Sequence, residues 1–205
     1  MASGKRWSNG ARTSALLFAL LLLAGCGILS GLSGGSGSNL GGTKTFTFNS
    51  LPKNVAELQR LPEAKLSTPY ATAALTVLAL TRYEESPEDC IEMLNFLKGP
   101  EEVSTYEKQF IRERLKDKYY KTFSFFKGTR PDNNYTPTKP YTVTVSSNPY
   151  SFDNDGWATL YLTSSGADNP RPVKLRKKPS TGEWFLNEIQ FLSDIRLPAN
   201  QDKWY

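Results

Sequence analysis

Apolar residues recur at helical spacing through the first half of the chain and at alternate positions through the second half. That change of period predicts two layers of different secondary structure. Ser50-Leu51-Pro52 opens a short helix running to about Arg60, with Val55, Leu58 and Leu61 on one side. Thr68-Pro69 starts the next: the threonine can cap the first amides, and the proline fits the first helical position. From Tyr70 to Leu80 no side chain is charged. Ala73, Ala74, Val77 and Leu78 make one apolar face and the opposite face is apolar as well, which places this helix at the centre of the domain. Ser86-Pro87-Glu88-Asp89 begins a third helix, its two acids suiting the positive end of the dipole. Ile91, Leu94 and Leu97 mark its packed face, and Gly99-Pro100 stops it. Ser104 and Glu107 form a capping box for a fourth, with Tyr106, Phe110, Ile111 and Leu115 as its stripe.

Beyond the fourth helix the alternation takes over. Tyr141 to Val145, Trp157 to Thr163, Val173 to Lys178 and Glu183 to Ile189 read as strands. The last two flank Pro179-Ser180-Thr181-Gly182, a hairpin loop. Phe191 to Leu197 reads as a short final strand, and residues 119–127 as one more. The expected class is α+β: an N-terminal layer of about four helices packed on a mostly antiparallel C-terminal sheet of four to five strands. Residues 46–205 are enough for one domain with its own core.

The first forty-five residues follow a different logic. Lys5, Arg6 and Arg12 precede an apolar run from Ala15 to Ala24 that is too short to cross a bilayer, and Leu23-Ala24-Gly25-Cys26 follows. This resembles the signal peptide of bacterial lipoproteins over residues 1–25. The resemblance implies cleavage before Cys26, a diacylglycerol on its sulfur, and acylation (palmitate, for example) of the new amine. Two or three chains anchor a protein durably where one alone does not. The implied location is the extracytoplasmic side of a membrane in the cell envelope, and Gly27, where an Asp would otherwise stand, implies the outer membrane if the host is diderm. Residues 27–45 are mostly Gly, Ser and Thr and read as a flexible tether with an end-to-end distance of about 25 Å.

Removing the signal takes away three basic residues and no acid, so the formal charge of +5 falls to +2. The basicity therefore belongs largely to targeting and gives no reason to expect nucleic acid. Cys26 and Cys90 are the only cysteines and there is no histidine. With Cys26 lipidated, Cys90 has no partner in the chain and reads as a buried thiol. Catalysis by Ser-His-Asp or Cys-His and a zinc site using imidazole are excluded. Neither a metal nor a cofactor is expected.

Four segments carry candidate chemistry. The aromatic cluster Tyr119, Tyr120, Phe123, Phe125, Phe126 reads as core, with a pocket wall as the alternative. Residues 128–140 hold three prolines and several Asn/Asp residues, which suits either a structural crossover or a binding loop with Tyr135 as its anchor. Asp153-Asn154-Asp155-Gly156 imitates part of a calcium loop, but Leu162 stands where the bidentate acid is needed, so a turn is favoured. Arg171, Lys174, Arg176, Lys177 and Lys178 form the densest basic cluster. With Val173 and Leu175 pointing inward, Lys174, Arg176 and Lys178 form an outer face, either a solvated hairpin or a contact for anionic headgroups, a cell-wall polymer or an acidic partner. No catalytic residue can be assigned.

Tyr135 to Tyr141, Gly166 to Lys178 and Glu183-Trp184-Phe185-Leu186 resemble an uncharacterised bacterial domain family found in small secreted or lipid-anchored proteins. The resemblance covers roughly residues 50–197 and implies domain limits without an activity. The expected function is a lipid-anchored binding or interaction module of the cell envelope, its partner an envelope protein, glycan or anionic polymer. The alternatives are an envelope hydrolase acting on glycans through carboxylates, and a structural subunit. Two close acids in one cleft, one with a raised pKa, would favour the hydrolase.

Overall fold

Thr68 begins the central helix as its spacing predicts. The computed structural model describes residues 42–204; the signal segment, Cys26 and the tether up to residue 41 lie outside them. The helices are α1 (Val55–Gln59), α2 (Pro69–Thr81), α3 (Pro87–Lys98), α4 (Thr105–Leu115) and α5 (Tyr120–Phe123). The strands are β1 (Thr43–Phe48), β2 (Tyr141–Ser146), β3 (Trp157–Leu162), β4 (Arg171–Lys177) and β5 (Trp184–Ile189). They form one antiparallel sheet in the order β1-β2-β3-β4-β5. The α+β reading, with helices mostly in the N-terminal half, holds.

All of α2 except Tyr70 is buried. Such a helix must satisfy its few polar side chains internally. Thr68 Oγ1 accepts from the Ala71 N–H (3.2 Å), Thr76 Oγ1 donates to Thr72 O (2.8 Å), and Thr72 Oγ1 donates to Trp184 O (2.6 Å). The last bond ties the central helix to the far edge of the sheet. The inward residues Val143, Val145, Ala158, Leu160, Leu162, Val173 and Leu175 meet the helical layer. Strands β1 and β2 pair over six residues, whereas among the described residues β2 and β3 share only Val145 opposite Leu162 and Ser146 opposite Tyr161.

Four expectations change. First, β1 starts at Thr43, inside the stretch read as tether: its six residues pair with β2, so ladder bonds support a strand whose apolar content is low. Second, residues 119–127 do not make a strand. Ser124 N–H donates to Tyr120 O (2.9 Å) and Phe126 N–H to Phe123 O (3.1 Å), and Tyr120, Phe125 and Phe126 are all buried. Aromatic rings wanted in several directions suit a coil inside the core better than a two-faced ribbon.

Third, residues 191–197 form a loop, because its carbonyls are taken by side chains from the body. Lys121 Nζ donates to Leu192 O (3.0 Å), Arg171 Nη2 to Asp194 O (2.8 Å) and the Tyr135 hydroxyl to Arg196 O (2.9 Å). Lys121 is itself buried, and its ammonium is held below the usual lysine range by burial and then by nearby Arg114 and Lys118. Fourth, Tyr106 stands 77% exposed, while Ile111 and Leu115 carry the packing of α4.

Candidate functional site

Helix α3 ends on a lysine that faces the core. Leu94, Leu97 and Lys98 are all buried, and a charged group there needs a partner. The partner comes from the start of α4. Ser104 Oγ accepts from the Glu107 N–H (3.2 Å), and Glu107 Oε2 accepts from the Ser104 N–H and hydroxyl (2.8 Å each). This is the capping box expected from the sequence, and it fixes the Glu107 carboxylate. Its second oxygen, Oε1, then accepts from Lys98 Nζ at 2.7 Å. Lys98 Nζ also reaches Asn187 O of β5 at 3.5 Å. One ion pair thus joins α3, α4 and the edge strand.

Gly99 makes the junction possible. Its φ is +70°, and a Cβ there would come within 2.4 Å of the Phe185 ring. The turn brings Val103 back, its N–H donating to Asn95 Oδ1 (2.8 Å). Between the helices and β5 lies a cleft of about 310 Å³. Its apolar walls are Leu94, Val103, Phe110, Ile111, Leu186 and Ile189, and its polar groups include Lys98, Glu107, Asn187, Glu188 and Gln190. Apolar walls with a few fixed polar groups are what small ligands and side chains enter. A second cleft of about 280 Å³ shares Lys98, Leu186 and Asn187 and adds Phe185, Glu101, Arg176, Lys177 and Lys178.

The electrostatics of the first cleft are settled by pairing. Burial pushes the Glu107 carboxyl up, but the bonds from Lys98 and Ser104 outweigh it and hold it below the usual range. Glu188 is held down too, by Lys174 Nζ (2.9 Å) and Gln190 Nε2 (2.7 Å). Both acids are therefore carboxylates at neutral pH. A general acid needs a carboxyl raised toward the working pH; these two are arranged to accept bonds. Among the described residues no group of His, Cys, Asp or Glu is placed to hold a metal.

The residues singled out from sequence separate into different roles. Arg176 and Lys178 meet in the second cleft together with Lys177. The Arg176 guanidinium lies 5.1 Å over the Trp157 ring and 3.9 Å from Glu101. Lys174 serves Glu188 at the rim of the first cleft. Arg171 braces the 191–197 loop and lies away from both clefts.

Tyr135 is no surface anchor: its ring is fully buried, stacked 6.0 Å from Tyr120, and its hydroxyl is pushed up to about 12 by burial. Prolines and Asn/Asp around an aromatic residue suit a loop folded onto its own plug as well as an exposed loop. Sequence reasoning placed Glu107 in a capping box and did not single out Lys98 or the pair the two residues form. Their signal was present: a lysine on the apolar face of a helix, six residues before a capping Ser whose carboxylate partner sits at the third helical position.

No curated protein and no solved structure matches the chain. A family model does match, over residues 50–199, from just after β1 to the end of the loop that Tyr135 secures. That span holds both clefts and every residue that lines them, and the chain belongs to this family, a domain of unknown function (DUF6935).

Proposed function

We propose that the protein is a non-catalytic binding module of the bacterial cell envelope, attached through Cys26 and taking its ligand in the cleft between α3, α4 and β5. The observation that carries the reading is the state of the cleft's two acids. Glu107 and Glu188 line an apolar recess, yet each is held ionised by its own lysine. Such a recess can orient a ligand through fixed acceptors and the Lys98 ammonium, and neither of its two acids is a protonated carboxyl ready for glycoside cleavage. Incubating the full chain with purified envelope polysaccharide should release no reducing ends, and E107Q and E188Q should match the wild type. Release that either variant abolishes would overturn the reading.

Attachment rests on Leu23-Ala24-Gly25-Cys26 and the basic and apolar segments before it. No described helix is long and apolar enough to cross a membrane. Cys90 is buried in α3, its thiol pushed up to about 12 by burial, so it does not compete for modification. Mass spectrometry of the protein recovered from its own host's membranes should find an N-terminal Cys26 carrying diacylglycerol. An intact Met1 terminus or a free thiol at position 26 would remove the anchor. The outer membrane is the expected destination in a diderm host, because Gly27 follows the cysteine.

A further inference from the structure

The second cleft is shaped by the end of the β4–β5 ladder. Leu175 and Leu186 are buried, so Arg176 and Phe185, which stand opposite each other one step further on, turn to the outer side. Phe185 gives the cleft an aromatic wall, and α3 ends against that ring: a Cβ at Gly99 would lie 2.4 Å from it. Pro100 and Pro179 stiffen two of its rims.

Arg176, Lys177 and Lys178 line this cleft and are exposed. The main chain fixes where they start. The Lys177 N–H donates to Gly156 O and the Lys178 N–H to Glu183 O (2.8 Å each). Arg176 lies over the Trp157 ring, and the Lys177 ammonium lies 6.0 Å from the Trp184 ring. Aromatic faces position a cation without cancelling its charge.

Carboxylates do not cancel it either. Lys98, which also lines the cleft, is taken by Glu107. Glu101 is the acid among the lining residues, and it sits 3.9 Å from Arg176 with both side chains exposed, an arrangement that holds weakly. Among the described residues no carboxylate pairs with Lys177 or Lys178. Three cations against Glu101 leave a surplus of two positive charges.

We infer that the second cleft binds a phosphate monoester, its head among Arg176, Lys177 and Lys178 and its organic part on the Phe185 ring. This site stands beside the ligand cleft proposed above and does not depend on it. A phosphate monoester carries about two negative charges near neutral pH, which matches the surplus. The guanidinium can offer two N–H groups to a pair of phosphate oxygens, and the lysines act as point charges. A carboxylate answers only half of the surplus.

Calorimetric titration of the full chain with phenyl phosphate tests the site. R176Q/K177Q/K178Q should lose at least about tenfold in affinity. E101Q, which releases Arg176, should bind about two- to fivefold more tightly, a gain that misfolding cannot produce. E113Q makes the same charge change on α4, away from the cleft, and should leave binding unchanged. Benzoate and inorganic phosphate should both bind more weakly than phenyl phosphate. Absence of phenyl phosphate binding, a triple variant equal to wild type, or equal tightening by E101Q and E113Q overturns the site. Benzoate matching phenyl phosphate overturns the dianion, and inorganic phosphate matching it overturns the ester. Phosphatidylcholine vesicles containing phosphatidic acid identify the source. Co-sedimentation that phenyl phosphate competes away assigns a lipid headgroup, whereas binding of phenyl phosphate without the vesicles assigns a soluble ester; either result upholds phosphate recognition.

Discussion

Truncating Tyr135 to alanine should lower the stability of the domain by about 3–5 kcal/mol, the range for a fully buried aromatic side chain. Three contributions act together. The ring is buried to 0% exposure and stacks on Tyr120, so its removal leaves a cavity that the surrounding aromatic residues cannot close. Its hydroxyl donates to Arg196 O, and without it that carbonyl must find water or remain unpaired. Its backbone sits at φ +53°, next to Asn134 at +52°, a left-handed pair that costs about 1–3 kcal/mol per residue and persists because the packing of the ring offsets that cost.

The Y135F variant separates these effects. It keeps the ring and the backbone and should lose only about 0.5–1.5 kcal/mol, the worth of one hydrogen bond. Urea unfolding of the full chain measures both. If Y135A lost no more than Y135F, the ring would not be the plug described above. Gly166 sets a tight limit on this site, since a Cβ there would lie 2.5 Å from the Tyr135 hydroxyl and 2.6 Å from Ile195.

The second large effect lies in α2. L78A should cost about 2–5 kcal/mol. Leu78 is fully buried in a helix whose neighbours on every side are also buried, so relaxation cannot be supplied from solvent. The cavity would open where the helix crosses the sheet, and the midpoint should fall with an unchanged denaturant slope. A loss below about 1 kcal/mol would show that the helix is not packed all round. Exposed Tyr106 provides the contrast: Y106A should change stability by less than about 0.5 kcal/mol.

The sequence reveals α2, α3 and α4 because their signals are local. An uncharged stretch, three Ser/Thr caps and a terminating Gly each act within one or two turns, and each cap makes its expected bond. Alternation likewise reveals β2 to β5, including the outward side of Trp157, Thr159 and Tyr161. What escapes is decided by distant partners. Strand β1 has few apolar residues and exists because β2 lies beside it. The 191–197 loop looks like a strand until Lys121, Tyr135 and Arg171 claim its carbonyls. The two clefts are less legible still, since they lie between elements about ninety residues apart. The second was visible as a charge cluster, whereas the first required knowing that β5 faces α3 and α4.

The chain enters the sheet at β1, and the first cleft lies against β5, at the opposite margin. A pull between the entering chain and a molecule held in that cleft is therefore carried by the strand pairings in series. The mechanical limit is set by the weakest pairing and not by the average. That is the seam between β2 and β3, two ladder pairs wide with one further bond from the Thr163 N–H to Thr144 O (3.1 Å), where the sheet would tear first. Helix α2 spans this seam and packs on strands to both sides of it, so it acts as a splint across the line of fracture.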